Sequence, residues 1–123
     1  MGKVVGTGAM TLLFAVAAFA QDAAVTCEAL DDGIEKIRCT LAVARMDEAR
    51  EATFYWHSDA FPQDDRERTL SLPANHGSVY DYRYLRGRAQ GIWTVTVTLT
   101  GQDGTETEAS CRFRLDDGEV ISR

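Results

Sequence analysis

The chain is 123 residues long and acidic, with 13 lysines and arginines against 19 aspartates and glutamates and a formal net charge of −6. That length holds one domain with a modest core. The acidic balance argues against non-specific binding to nucleic acid or to anionic lipid.

Residues 1–20, MGKVVGTGAMTLLFAVAAFA, carry a secretory pattern. Lys3 supplies the positive start, the stretch from Met10 to Ala20 has no charge, and Ala18-Phe19-Ala20 has the small residues a signal peptidase accepts. Cleavage after Ala20 is expected. The apolar run is too short to span a bilayer, which takes about 20 residues, so the mature chain, 21–123, is expected to have no transmembrane segment. Thr26 before Cys27 is a poor residue for lipidation, so Cys27 reads as an ordinary residue of the mature chain. Losing Lys3 leaves twelve cations against nineteen carboxylates, a net −7, with Lys36 the one remaining lysine and the other eleven cations arginines.

After the signal, the hydrophobic period is two almost throughout, the mark of strands. Val25 to Leu30 is a short first strand, ended by the turn Asp31-Asp32-Gly33. Ile34 to Ala44 follows, with Ile37, Cys39, Leu41 and Val43 on one face. Residues 46–52 can form a turn or a short helix. Ala52 to His57 is a strand with Phe54 and Trp56 on one face, and 58–68 is a polar loop. Thr69 to Leu72 is a short strand that Pro73 places at an edge or a strand end. Val79 to Arg86 is the next. Ile92 to Thr100 alternates four threonines with Trp93, Val95, Val97 and Leu99. A Gly101–Gly104 turn returns the chain along Thr105 to Leu115, and residues 116–123 read as a frayed tail. The threonine face reads as a solvated strand surface; with no repeat of the array on neighbouring strands, an ice-binding ladder is not expected.

About seven short strands with turn signals between them describe an all-β, Ig-like antiparallel β-sandwich. The succession TFYWHSD, RTLSLP, YDYRYLRGR, GIWTVTV, GQDG and CRFRL over residues 52–115 resembles a family of small exported bacterial domains with an Ig-like or fibronectin-III-like sandwich. The resemblance implies a binding or accessory role and brings no catalytic residues. The chain departs from it in having three cysteines.

Export to an oxidising compartment, periplasmic or extracellular, makes one disulfide expected. Cys39–Cys111 is the favoured pairing, because each shares a face with core residues of separate strands. Cys27–Cys39 is the alternative, because a register centred on Gly33 sets the two opposite each other. Spacing alone does not choose between them.

The favoured contact surface is the strand and loop from Tyr80 to Arg88. Tyr80, Tyr82 and Tyr84 share one face, Asp81, Arg83 and Leu85 the other, with Arg86 and Arg88 just beyond. Tyrosine and arginine anchor interfaces because each joins a large contact area to a polar group. The partner this implies is another exported or envelope protein. Two other readings stand beside it. His57, Asp59, Asp64 and Asp65, with His76 elsewhere, offer ligand types for a metal-carrying loop, although neither a His-Glu-x-x-His pattern nor a calcium loop is present. A free cysteine with His57 or His76 would serve a small hydrolase or thiol-redox protein, although no nucleophile motif fixes that geometry. No cofactor is expected.

Overall fold

The computed structural model describes residues 23–122, so the expected signal segment lies outside the described residues. Eight strands follow in chain order: β1 Ala24–Asp31, β2 Glu35–Ala42, β3 Arg50–Ser58, β4 Arg66–Leu72, β5 Ser78–Tyr84, β6 Gly91–Thr100, β7 Glu106–Asp116 and β8 Glu119–Ser122. One 3-10 turn, Pro62–Asp64, lies between β3 and β4. Residues 46–49 are extended or bent, and strand begins at Arg50, so the alternative of a short helix there is not taken up. Among the described residues no helix is long and apolar enough to cross a membrane.

The strands form two antiparallel sheets, β1-β2-β5 and β4-β3-β6-β7-β8, as a β-sandwich requires. Alternation decides what each strand buries. In β6, Trp93, Val95, Val97 and Leu99 point inward while the threonines face solvent. Ile37, Cys39 and Leu41 from β2, Ala52, Phe54 and Trp56 from β3, Leu72 from β4, Leu85 after β5, and Phe113 and Leu115 from β7 complete the buried core. Trp93 and Phe113 stack with ring centroids 6.4 Å apart. Burying each large side chain is worth about 1.5–3 kcal/mol.

Three expectations are corrected. The disulfide is Cys27–Cys39, and Cys111 is a half-buried free thiol. The β1–β2 hairpin pairs residues symmetrically about Gly33, which has φ +110°, and this sets Cys27 directly opposite Cys39 with Cα atoms 4.0 Å apart. Cys111 also faces inward, but β7 packs beneath β1, not beneath β2, so the favoured Cys39–Cys111 pairing is not made. The tail is not frayed: Asp117 and Gly118, at φ +51° and +82°, make a tight hairpin that folds β8 onto β7, as Asp-Gly at a two-residue turn should. The loop after β3 ends at Asp65, because Arg66 and Arg68 already pair with Trp56 and Phe54. The threonines of β6 also have company, since Thr53 and Thr69 join Thr98 in one cross-strand row, their hydroxyls 2.9 Å apart.

All four hairpin or loop connections β1–β2, β3–β4, β5–β6 and β7–β8 gather at one end of the sandwich. That end adjoins Tyr84, the last residue of β5.

Candidate functional site: the outer face of the three-stranded sheet

β5 is an edge strand with a charged inward row and an aromatic outward row. Tyr80 is 54% exposed, Tyr84 49% and Tyr82 half-buried, whereas Asp81 and Arg83 are only 1% and 7% exposed. Three-tenths of a nanometre per residue puts successive tyrosines about 7 Å apart along the sheet surface. β2 lies beside them, with Thr40, Arg38 and Lys36 directly opposite Tyr80, Tyr82 and Tyr84. The two cations lean one place diagonally, so that Lys36 Nζ lies 4.9 Å from the Tyr82 ring centroid and Arg38 Cζ 5.6 Å from that of Tyr80. Such contacts hold a cation over the electron-rich ring face. The Tyr82 and Tyr84 rings meet edge to face at 5.7 Å. Each cation also has a carboxylate: Lys36 Nζ is 3.4 Å from Asp32, and an Arg38 terminal nitrogen is 3.3 Å from Glu28. The outcome is a flat lattice of tyrosines and neutralised cations.

Arg83 and Arg88 do not belong to that surface. Arg83 turns inward and donates to the Asp64 carbonyl at 2.6 Å and to its carboxylate at 3.1 Å, with its guanidinium 5.6 Å from the Trp93 ring centroid. Burial pushes the Arg83 guanidinium below its ordinary value and repulsion from Arg88 adds to this, while Asp64 opposes it. Arg88 Nε lies 3.4 Å from the same carboxylate, which also accepts the Ala89 N–H at 2.9 Å. Arg86 alone of the three stays exposed. The physical reason is the parity of β5: tyrosines outward force Asp81 and Arg83 inward, and the inward side of an edge strand can hold charge if each charge finds a partner. Asp81 finds three, accepting from Trp56 Nε1 at 2.9 Å, Arg66 at 2.9 Å and Arg68 at 3.2 Å. All three donors come from the opposite sheet. The seam between β4 and β5, where no ladder exists, is therefore closed by ion pairs.

His57 sits on the solvent face of β3. Its Nδ1 is 2.8 Å from Asp65 Oδ2, which also accepts the Tyr55 hydroxyl at 3.0 Å, and Asp65 Oδ1 accepts the Ser58 N–H at 2.8 Å. The bond to Asp65 raises the His57 imidazole against the opposing effect of desolvation. The Tyr55 hydroxyl is raised chiefly by its own bond to Asp65. Desolvation works to raise Asp65, but the bonds from His57, Ser58 and Tyr55 outweigh it and hold its carboxyl below the ordinary range.

Asp59 is 3.6 Å from His57 Nε2. His76 lies in the turn before β5, at the other end of β3, where its carbonyl approaches Arg50. His57, Asp59 and His76 thus do not converge, and among the described residues no group of three His, Cys, Asp or Glu side chains is arranged to hold a metal ion. Asp64 and Asp65, also considered there, are occupied in fastening the β3–β4 loop. Cys111 faces inward on β7 and His57 outward on β3, so the two are not a nucleophile and its base. Lys36 and Arg38 were not singled out from sequence. Their alternation with Ile37 and Cys39 on β2 was the available signal.

No protein-family model, no curated protein and no solved structure matches the chain.

Proposed function

We propose that the protein is an exported, non-catalytic module of the Ig-like or fibronectin-III-like class that binds a partner protein of the cell envelope through the outer face of β1-β2-β5. The observation that carries this reading is the tyrosine row: Tyr80, Tyr82 and Tyr84 stand on the outer sheet face, with nothing packed over them among the described residues, two of them about half exposed, braced by Lys36 and Arg38. Amphipathic rings that are already ordered lose little side-chain entropy on contact, which is how tyrosines come to anchor interfaces. The strand order supports the class assignment. The first, second and fifth strands form one sheet, and the third, sixth and seventh the other, with the fourth beside the third and the eighth beside the seventh. The Cys27–Cys39 disulfide supports export, since such bonds persist in oxidising compartments.

The test is site-specific photo-crosslinking in cells, with the photoreactive residue placed at Tyr80 or, on the opposite sheet face, at Thr96. A discrete adduct from position 80 and none from 96 is the expected result. An adduct from 96 alone sinks the assignment. A Tyr80→Ser/Tyr84→Ser variant should lose the partner while its melting transition stays within a few degrees. Arg83 is unsuitable for this test, because it is buried.

A further inference from the structure

The tyrosine face does not stop at Tyr84. Beyond it, where the β1–β2 turn meets the end of β5, Asp31, Gly33, Ile34, Glu35, Tyr84 and Arg86 line an open groove. A second groove continues behind it toward β8, walled by Leu30, Leu85, Val120 and Glu119, and shares Asp31 and Glu35 with the first. The two grooves adjoin at Asp31 and Glu35, a trench in two parts at the end of the sandwich. Its rims carry exposed apolar side chains: Ile34, in the β1–β2 turn, is 58% exposed and Tyr84, at the end of β5, 49%. Its middle is anionic. Lys36 and Arg38 are spoken for by Asp32 and Glu28, but Asp31, Glu35 and Glu119 make no ion pair among the described residues. Arg86 is the single cation in the lining of either groove.

We propose that this trench receives an extended segment of the partner protein in which lysine or arginine alternates with aliphatic residues. The proposal rests on the tyrosine-face reading and gives that partner its chemistry. Charge complementarity selects the cation: three unpaired carboxylates face one arginine on a chain of net charge −6. The apolar rims select its neighbours, since Ile34 and Tyr84 cover an aliphatic side chain while Asp31, Glu35 and Glu119 take the charged tip. Lysine and arginine suit this twice over, because their stems are apolar and their heads charged. Arginine adds a planar fork that fits a carboxylate with two hydrogen bonds. Alternation in the ligand follows from an extended backbone, whose successive side chains point to opposite sides. An acidic segment is disfavoured by the same carboxylates.

The experiment is a titration of the 15N-labelled protein with acetyl-Gly-Val-Lys-Val-Arg-Val-Gly-amide, followed by amide chemical shifts. Two control peptides replace the valines by serine, or the lysine and arginine by glutamate. Shifts should concentrate at Gly33, Glu35 and Gly118, with the serine peptide at least tenfold weaker and the glutamate peptide showing no saturable shifts. Glu35 and Glu119 are both exposed, so Glu35→Gln/Glu119→Gln should keep the fold and weaken the valine peptide about tenfold, an effect that shrinks as salt rises. A Tyr80→Ser variant should bind the peptide unchanged. Loss of peptide binding with crosslinking from position 80 intact therefore overturns the trench alone, and the reverse pattern overturns the tyrosine face alone. Equal binding of the valine and serine peptides overturns the proposal, because net charge then explains it. So do shifts centred on Glu106 and Glu108, an affinity within twofold for the double glutamine variant, or the same amides responding to calcium alone.

Discussion

Asp81→Ala tests whether the charged seam holds the two sheets together. The carboxylate is 1% exposed and is the one acceptor of the Trp56 indole N–H, itself buried. Removing it leaves that N–H without water to turn to, at a cost of about 1–3 kcal/mol. The Arg66 and Arg68 side chains are 34% and 51% exposed and can recover hydration, so their ion pairs are discounted to roughly 1 kcal/mol or less each. The small void adds up to about 1 kcal/mol. The expected loss is about 3 kcal/mol, at the lower edge of what breaking a buried pair costs. For a domain of this size it should lower Tm by roughly 12–20 °C. Asp81→Asn keeps an oxygen for Trp56 and should lose about half as much. Urea unfolding followed by tryptophan fluorescence reads both, with the slope m unchanged if only stability has moved. An alanine variant within about 1 kcal/mol of the parent refutes the lock, and an asparagine variant as weak as alanine refutes the weight given to the indole bond.

Three further outcomes follow from the same geometry. Reducing Cys27–Cys39 frees a loop with a sequence separation of 12 and should cost about 3 kcal/mol by the chain-entropy relation; denaturant midpoints with and without a phosphine reductant measure it, and an unchanged midpoint rejects it. His57, raised by Asp65, contributes stability that is complete below its unfolded value near 6.5 and fades as pH rises through its higher folded value, whereas Asp65, held low, contributes above about 3.8 and fades as pH falls through its lower folded value. NMR titration should place the His57 midpoint above 6.5, and His57→Asn should remove the fading on the alkaline side; a His57 midpoint at or below 6.5 contradicts the pairing. Cys111→Ala should cost under about 2 kcal/mol, since the thiol is half-buried and bonded to no other cysteine, and thiol titration of the native protein should find one free group in the parent and none in the variant.

The layered fold was legible because most strands carry one apolar face. Period two in Trp93 to Leu99 and in Ile37 to Val43 admits a single way of facing a core. β5 was harder. Tyrosine can face either way, and a strand reading Tyr-Asp-Tyr-Arg-Tyr offers no apolar row to orient it. Locally only Val79 and Leu85, on the inward side at its two ends, mark its orientation; the partners of Asp81 and Arg83 lie far off in sequence, in Trp56, Arg66, Arg68 and Asp64. The disulfide was half legible: hairpin symmetry about Gly33 named Cys27–Cys39, but core-facing parity at Cys111 looked as good until the packing of β1 over β7 was known. The eighth strand carried the plain turn signal Asp117-Gly118, but only four strand residues follow it. In the candidate site the tyrosines and Arg86 were visible as residues, while Lys36 and Arg38 were not, because the register joining β2 to β5 crosses forty residues.

The lock and the binding face are one fact seen from two sides of β5. Shifting the strand by a single residue would bury the tyrosines and expose Asp81 and Arg83, since side chains alternate with every step. The ion pairs of Asp81 with β4 and of Arg83 with Asp64 in the 3-10 turn oppose that slip, together with Val79 and Leu85 on the core side. Stability and presentation should therefore separate in one direction. Tyr80→Ser/Tyr84→Ser removes the surface and leaves the lock, so partner crosslinking falls while melting stays within a few degrees. Asp81→Ala weakens the lock and loosens the parity it enforces, so melting and crosslinking both fall, and protection of the β5 amides from hydrogen exchange falls more than that of β6. Asp81→Ala protein that melts early but keeps full crosslinking from position 80 and unchanged β5 protection would show that the tyrosines face outward for a reason other than the charged seam.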